Sequence, residues 1–335
     1  MNPLPFSALD TISSQDIFED AVHYTLTYQY DNNSVFRAYC DLINRPPSAV
    51  TSIENLPFLP ISLFKSRRIL TQEKEIEMVF RSSQTTAQAS AQHFISDLSL
   101  YQNSFRSAFK RQYGSPKDWV ILALLPSYLE RNDASLVYMV SDLIRQSRRT
   151  ESGFYLDNFQ ALSDQIKQLE AQQQPTLLIG VSFALLDFAA AFPQSLHYTT
   201  VIETGGMKGR KKEMVRSELH TVLKDNLGCR NIHSEYGMTE LLSQAYAQIA
   251  GKFVPPPWMQ VVIRDPSDPF STLPNGQTGG LNIIDLANQN SCAFIATQDL
   301  GKRSGTGNFD VLGRFDTAEI RGCNLMAGAA THHGE

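Results

Sequence analysis

TLLIGVSFALLDFAAAFPQSLHYTTVIET, residues 176–204, is the stretch that decides the fold. Its ends, TLLIG and YTTVIET, are short apolar runs with β-branched residues, the length and content of strands. Between them SFALLDFAAAF is long enough, and rich enough in Ala and Leu, for a helix. Strand, helix and strand in close succession build the layers of an α/β protein.

The same alternation runs outward. Upstream come IEMVF from Ile76, a Ser/Thr-rich loop, a helical stretch from Ala91 to Gln112, the apolar WVILALLP and a helix from Ser135 to Arg148. Downstream come a charged helix from Lys211 to Asn226 and the strand-like start of NIHSEYG. Near the N-terminus Ser13 or Ser14 caps a long amphipathic helix reaching about Ile43, which Arg45, Pro46 and Pro47 stop before a Pro-rich stretch ending near Pro60. Beyond Gly251 the runs MQVVIRD, LNIID, CAFIATQD and FDVLGRFD are separated by Gly, Pro, Asn and Asp turns, so this part is β-rich. The expected organisation is a helical entry segment over 1–75, an α/β core over 76–250 and a β-rich part over 251–335.

Composition excludes several function classes. The 335 residues carry a net charge of -5, the wrong sign for a nucleic-acid backbone binder. MNPLPFSALD lacks a basic region followed by an apolar one, and no apolar run is long enough to span a bilayer, so a cytoplasmic protein without a membrane span is expected. Cys40, Cys229, Cys292 and Cys323 form no CxxC pair, which argues against both a zinc site and a disulfide scaffold.

Three segments could carry chemistry. RSSQTTAQAS, Arg81 to Ser90, is a hydroxyl-rich loop whose N–H and O–H groups can hold phosphate oxygens, although a plain capping loop reads the same way. In HSEYGMTE, His233 to Glu240, Tyr236 could stack on a base and Glu240 could hold magnesium; the alternative is a strand-end turn at Gly237 and a helix capped by Thr239. In ATQDLGK and VLGRFD, Asp299 could accept ribose hydroxyls and Arg314 could neutralise phosphate charge, though a polar hairpin turn explains either piece alone. His93 and His233 lie beside these motifs and read as structural histidines.

The order of hydroxyl loop, YGMTE, TQD and GRFD is similar to that of the core motifs of adenylate-forming enzymes. LLPSYLERNDASLVYMV, ETGGMKGRKKEM, SEYGMTELLSQAY and EIRGCNLM further resemble LuxE-type acyl-protein synthetases, over roughly residues 55–326. The resemblance implies the large-domain architecture of adenylate-forming enzymes, layered α/β subdomains plus a β-rich C-terminal portion, without most of the small mobile C-terminal domain. It also implies ATP-dependent activation of a long-chain fatty acid as acyl-AMP, transfer to an enzyme cysteine, and delivery to a reductase partner. By the same resemblance Ser82, Ser83, Thr85 and Thr86 match the phosphate loop, and Gly205 and Gly206 a segment approached by nucleotide and acyl chain. Tyr236 with Gly237 matches the adenine neighbour, Thr239 and Glu240 the phosphate and magnesium contacts, Asp299 the ribose ligand, Arg314 the hinge arginine and Cys323 the acyl acceptor. ATP and magnesium are the implied cofactors.

Gln84 and Ala87 stand where the resemblance implies glycine, and a β-carbon there implies impaired turnover. Lys208, Lys211 and Lys212 lie near a matching motif but also suit a solvated helix face. Three other functions remain open: a coenzyme A ligase acting on an acyl or aryl acid, a non-catalytic descendant with a degraded phosphate loop, and a serine hydrolase. The last would use Ser182, one glycine short of a nucleophile elbow, with Asp299 or Asp316 and His332 or His333 as partners.

Overall fold

Three helices open the chain: α1 (Phe6–Asp10), α2 (Gln15–Asn32) and α3 (Ser34–Leu42). The structure, a computed structural model, describes residues 1–82, 90–125, 133–205, 214–249 and 251–315. Ser14 caps α2, its hydroxyl accepting the Ile17 N–H. The single helix expected as far as Ile43 is instead two, because Asn33 is extended at φ -119, ψ 105 and caps α3 with its side chain. Its Oδ1 accepts the Phe36 N–H at 3.0 Å, while its Nδ2 donates to Ser291 O at 2.8 Å. An asparagine with both a cap and a distant carbonyl to satisfy outcompetes the helical backbone.

After the short strand β1 (Leu59–Pro60) comes an antiparallel hairpin, β2 (Met78–Arg81) and β3 (Gln92–Ile95), with Arg81 opposite Gln92. The helix expected from Ala91 is therefore corrected. Residues 91–95 alternate between buried and half-buried as a strand does, and α4 (Leu98–Tyr113) starts only where the Asp97 carboxylate accepts the Ser99 N–H. In sequence the hydroxyl-rich segment therefore separates two paired strands, not a strand and a helix; its residues 83–89 lie outside the described residues.

The alternating part forms β4 (Val120–Leu124), α5 (Ser135–Ser147), β5 (Gly153–Phe154), α6 (Phe159–Ala171), β6 (Thr176–Val181), α7 (Ser182–Ala191), β7 (Thr199–Thr204), α8 (Arg216–Leu227), β8 (Ile232–Tyr236) and β9 (Ala245–Ala247). The strands make one sheet in the order β5-β4-β6-β7-β8-β9, parallel except for β9. Every residue of β4 and β6 is buried, as continuous apolar runs in a covered parallel sheet must be.

The C-terminal part supplies β10 (Lys252–Phe253), β11 (Met259–Arg264), β12 (Thr278–Asp285), β13 (Phe294–Arg303) and β14 (Phe309–Arg314), joined antiparallel in the order β10-β14-β13-β12-β11, with β1 added parallel to β13. One hydrophobic core runs through both large sheets. Among the described residues no helix is long and apolar enough to cross a membrane.

Asn33→Ala removes a cap and leaves Ser291 O without that donor, so it is expected to lower stability by about 2–3 kcal/mol. Urea unfolding followed by circular dichroism checks this; a loss below about 0.5 kcal/mol would show that Asn33 does not set the helix break.

Candidate functional site

Ligands of open α/β sheets sit at the carboxyl ends of the strands, and here those ends meet the second sheet. Tyr236, the last residue of β8, packs edge-on against Phe309 with ring centroids 5.4 Å apart and also contacts Phe253. Its hydroxyl donates to Asp299 Oδ2 at 2.8 Å. Arg314 lies opposite Asp299 in the β13–β14 ladder, and its Nε is 3.4 Å from Asp299 Oδ1. Burial pushes the Asp299 carboxyl above its ordinary value, against the pull of Arg314 and the Tyr236 hydroxyl.

Just beyond β8 the chain makes a turn from exposed Gly237 through half-buried Thr239 to buried Glu240, instead of the alternative helix capped by Thr239. Three side chains hold this turn by its main chain. His93 of β3 places Nδ1 2.8 Å from Thr239 O and Nε2 3.1 Å from Asn288 Oδ1. Asn288 Nδ2 donates to Glu240 O at 2.8 Å, and the Asp285 carboxylate accepts the N–H groups of Leu242 and Ser243 at 2.8 and 3.0 Å. Burial pushes the His93 imidazole down to about 4, although both acceptors favour its protonated form. The Glu240 carboxyl is raised by burial, while its own backbone N–H and the fields of Arg314 and Lys65 oppose the rise. The residue before Lys65, Phe64, packs edge-on against the His93 ring at 5.6 Å. At the start of the hydroxyl-rich segment Ser82 accepts the Ala91 N–H at 2.9 Å, beside β3, which carries His93.

Behind the seam lie two buried glutamates. Burial raises Glu203, but His220, Arg216 and Ser234 more than reverse this and hold it below the ordinary value. Arg216 donates from Nε to Glu203 at 2.9 Å and from Nη1 to Val311 O at 2.8 Å, so one guanidinium joins the two sheets. Among the described residues Glu235 meets no cation of that kind; burial pushes it up to about 7, although Thr204 donates to it. A β-carbon on Gly237 would lie 2.5 Å from Glu235 Oε1, so any larger residue there would have to displace that carboxyl.

A profile of the acyl-protein synthetase family LuxE matches residues 2–331. The chain belongs to the LuxE acyl-protein synthetase family. A relative, the long-chain-fatty-acid–luciferin-component ligase of Vibrio harveyi, is 22% identical over 332 residues, covering 90% of this chain and 85% of that one. The fold is shared with an open form of 2-hydroxyisobutyryl-CoA ligase solved with its acyl-AMP and CoA (TM-score 0.68, 11% identity, 90% of this chain and 70% of that one). It is also shared with ATP-bound MatB from Rhodopseudomonas palustris (TM-score 0.52, 18% identity, 73% of this chain); the chain covers 49% of that structure. The LuxE chain is thus an acyl-protein synthetase with the fold of adenylate-forming ligases.

Of the candidate residues in this chain, Tyr236, Gly237, Thr239, Glu240, Asp299 and Arg314 come together at the seam, and Gly205 follows the last residue of β7 at φ 70. Ser83, Thr85, Thr86, Gly206 and Cys323 lie outside the described residues, as do Gln84, Ala87, Lys208, Lys211, Lys212, Asp316, His332 and His333. Ser182 is buried at the start of α7 and lies 2.7 Å from Gly205 O and 3.2 Å from Glu203 Oε2, while Asp299 is engaged with Tyr236 and Arg314. That arrangement does not support a serine nucleophile. A cavity of ≈ 620 Å³ lined by His197, Thr199, Cys229 and His233 opens at the amino ends of β7 and β8, away from the seam. Sequence reading missed Lys65, Asp285 and Asn288, whose partners are far away in the chain.

Glu235 binds its proton more tightly in the folded chain, with a value of about 7 against 4.5, so its contribution to stability is full below pH 4.5 and lost as pH rises through about 7. Glu235→Gln is expected to flatten that part of the profile and to exceed wild type by about 2–3 kcal/mol near ~pH 8. Equal slopes for variant and wild type in urea unfolding at several pH values would rule out the raised value.

Proposed function

We propose that this synthetase activates a long-chain fatty acid with ATP as acyl-AMP, moves the acyl group onto Cys323, and passes it to a reductase partner. The observation that carries the first step is the Tyr236–Asp299–Arg314 cluster beside Glu240, which gathers an acceptor suited to ribose hydroxyls, a cation suited to phosphate and a carboxylate suited to a metal ion. The name of the Vibrio harveyi relative supports the long-chain acid.

In the first step a carboxylate oxygen of the acid forms a bond to the α-phosphorus of ATP and pyrophosphate leaves. Asp299, with one oxygen fixed by Tyr236, accepts ribose hydroxyls, and Arg314, with its side chain 71% exposed, can turn towards the phosphates. Lys65 adds a second cation on the Glu240 side. Donors fixed before reaction stabilise developing charge without reorganisation. A magnesium ion fits the 239–240 turn: it takes oxygen ligands, and Glu240 presents a buried carboxylate whose raised proton affinity a cation would reverse. Glu240 would hold it, and when bound it would neutralise phosphate charge.

In the second step the Cys323 thiolate attacks the acyl carbonyl and AMP leaves. The other cysteines suit this poorly. Cys40, Cys229 and Cys292 are buried, and burial raises all three thiols, Cys40 to about 12. A thiol kept protonated is a poor nucleophile.

Acid-dependent exchange of labelled pyrophosphate into ATP tests the first step. Wild type is expected to exchange with long-chain acids, and Glu240→Gln to lose about 100-fold or more; unchanged exchange in that variant would sink its role. Asp299→Asn should raise the KM for ATP by about 10-fold or more, as losing a charged hydrogen bond does. The Gln84→Gly, Ala87→Gly double variant is expected to exchange faster than wild type, and exchange in neither would overturn the adenylation reading. Cys323→Ser should keep exchange and lose covalent acyl labelling from radioactive acid; retained labelling, or release of an acyl-coenzyme A, would assign the acceptor elsewhere.

A further inference from the structure

The loop between β12 and β13, residues 286–293 (LANQNSCA), is buried along its whole length although it is irregular and polar. Irregular backbone in the interior has no ladder to satisfy its carbonyls, so side chains must do so. Gln29, on α2 and fully buried, does most of this. Its Nε2 lies 3.0, 2.9 and 3.2 Å from the carbonyls of Asn288, Gln289 and Ser291, and its Oε1 accepts the Ala293 N–H at 3.0 Å. One primary amide thus engages four main-chain groups of a single loop. Asn33 and Thr71 add donors to Ser291 O, and Gln289 exchanges hydrogen bonds with both main-chain groups of Leu4.

The opposite side of this loop carries the turn of the nucleotide site. Asn288 donates to Glu240 O and faces His93, whose other nitrogen meets Thr239 O, and Asp285 at the loop's start takes the Leu242 and Ser243 N–H groups. From Gln29 to Glu240 there is a continuous path: Gln29 amide, Asn288 carbonyl, Asn288 side chain, Glu240 carbonyl. No part of it passes through the parallel sheet.

We propose that Gln29 is a positioning residue for the nucleotide site, fixing the Thr239–Glu240 main chain through the 285–293 loop, so that the N-terminal helices belong to the catalytic apparatus. The inference rests on the adenylation reading for the role of Glu240. A purely structural Gln29 would make the same hydrogen bonds yet leave the Glu240 turn indifferent to their loss.

Gln29→Met keeps the side chain's length and removes its hydrogen bonds. Hydrogen exchange read by mass spectrometry is expected to show peptides covering 286–293 and 238–244 losing protection together, by about 10-fold or more, while 176–181 is unchanged. In pyrophosphate exchange the variant should need about 10-fold more magnesium for half-saturation, with a lower kcat and an unchanged KM for the fatty acid. The double variant with Asn288→Ala should be no worse than Asn288→Ala alone, since the two act in series. Loss of protection confined to 286–293, or an unchanged magnesium requirement in the folded variant, would overturn the inference. Should Gln29→Met not fold, wild type in sub-denaturing urea decides: both segments open at the same urea concentration if they are coupled, and separate openings refute coupling. Hydrogen exchange needs no turnover, so wild type without pyrophosphate exchange sinks the adenylation reading, whereas uncoupled opening sinks this one.

Discussion

A carboxylate taken out of water must find its hydrogen bonds inside the protein, and Asp285 finds them on one turn. Its two oxygens accept from the N–H groups of Leu242, Ser243 and Ala287 and from the Ser243 hydroxyl. That hydroxyl in turn accepts the Trp258 indole N–H at 2.8 Å. Burial raises the Asp285 carboxyl, so the charged form depends on these donors, and all of them except the Ala287 N–H belong to the turn that carries Glu240. The turn after β8, the end of β12 and the candidate metal ligand are therefore held by a single arrangement. Half-satisfied, it would destabilise more than an apolar replacement, because buried polar atoms without partners lose the full strength of their hydration.

The two glutamates behind the seam show how neighbouring strands can place chemically identical groups in opposite states. Glu203 on β7 meets Arg216 and stays ionised; Glu235 on β8 meets a threonine hydroxyl and keeps its proton up to about 7. Two unscreened anions so close would repel, and a single cation resolves the conflict by favouring one of them. Arg216 also donates to Val311 O in the second sheet, so the choice of ionised glutamate is coupled to how the sheets join.

The alternation around residues 176–204 made the parallel sheet legible, since runs such as VILAL and TLLIG bury every residue and have no other use. The order of motifs singled out Tyr236, Glu240, Asp299 and Arg314, which the fold brings together at the seam. Two local readings failed for the same reason: tertiary partners decided them. Asn33 broke the first helix because Ser291 waits for its amide, and residues 91–95 became a strand because β2 offers a partner. Gln29, Asp285 and Asn288 have no local signature, for their work is done across separations such as the 259 residues between Gln29 and Asn288. A polar residue in an amphipathic helix reads as solvated until the buried carbonyls opposite it are known.

The seam also divides labour between Tyr236 and Arg314. An ion pair with one side chain 71% exposed is screened by water and holds its partner weakly. The Tyr236 hydroxyl is buried, its ring is fixed by Phe253 and Phe309, and burial together with the Asp299 charge keeps its proton bound well beyond any working pH. The orientation of Asp299 therefore rests on the tyrosine, not on the arginine. Arg314, at the last position of β14, can leave Asp299 for a phosphate without releasing the carboxylate that would hold the ribose. A rigid acceptor and a movable cation on adjacent strands are what a site needs if it must bind a nucleotide first and answer the charge that develops on it afterwards.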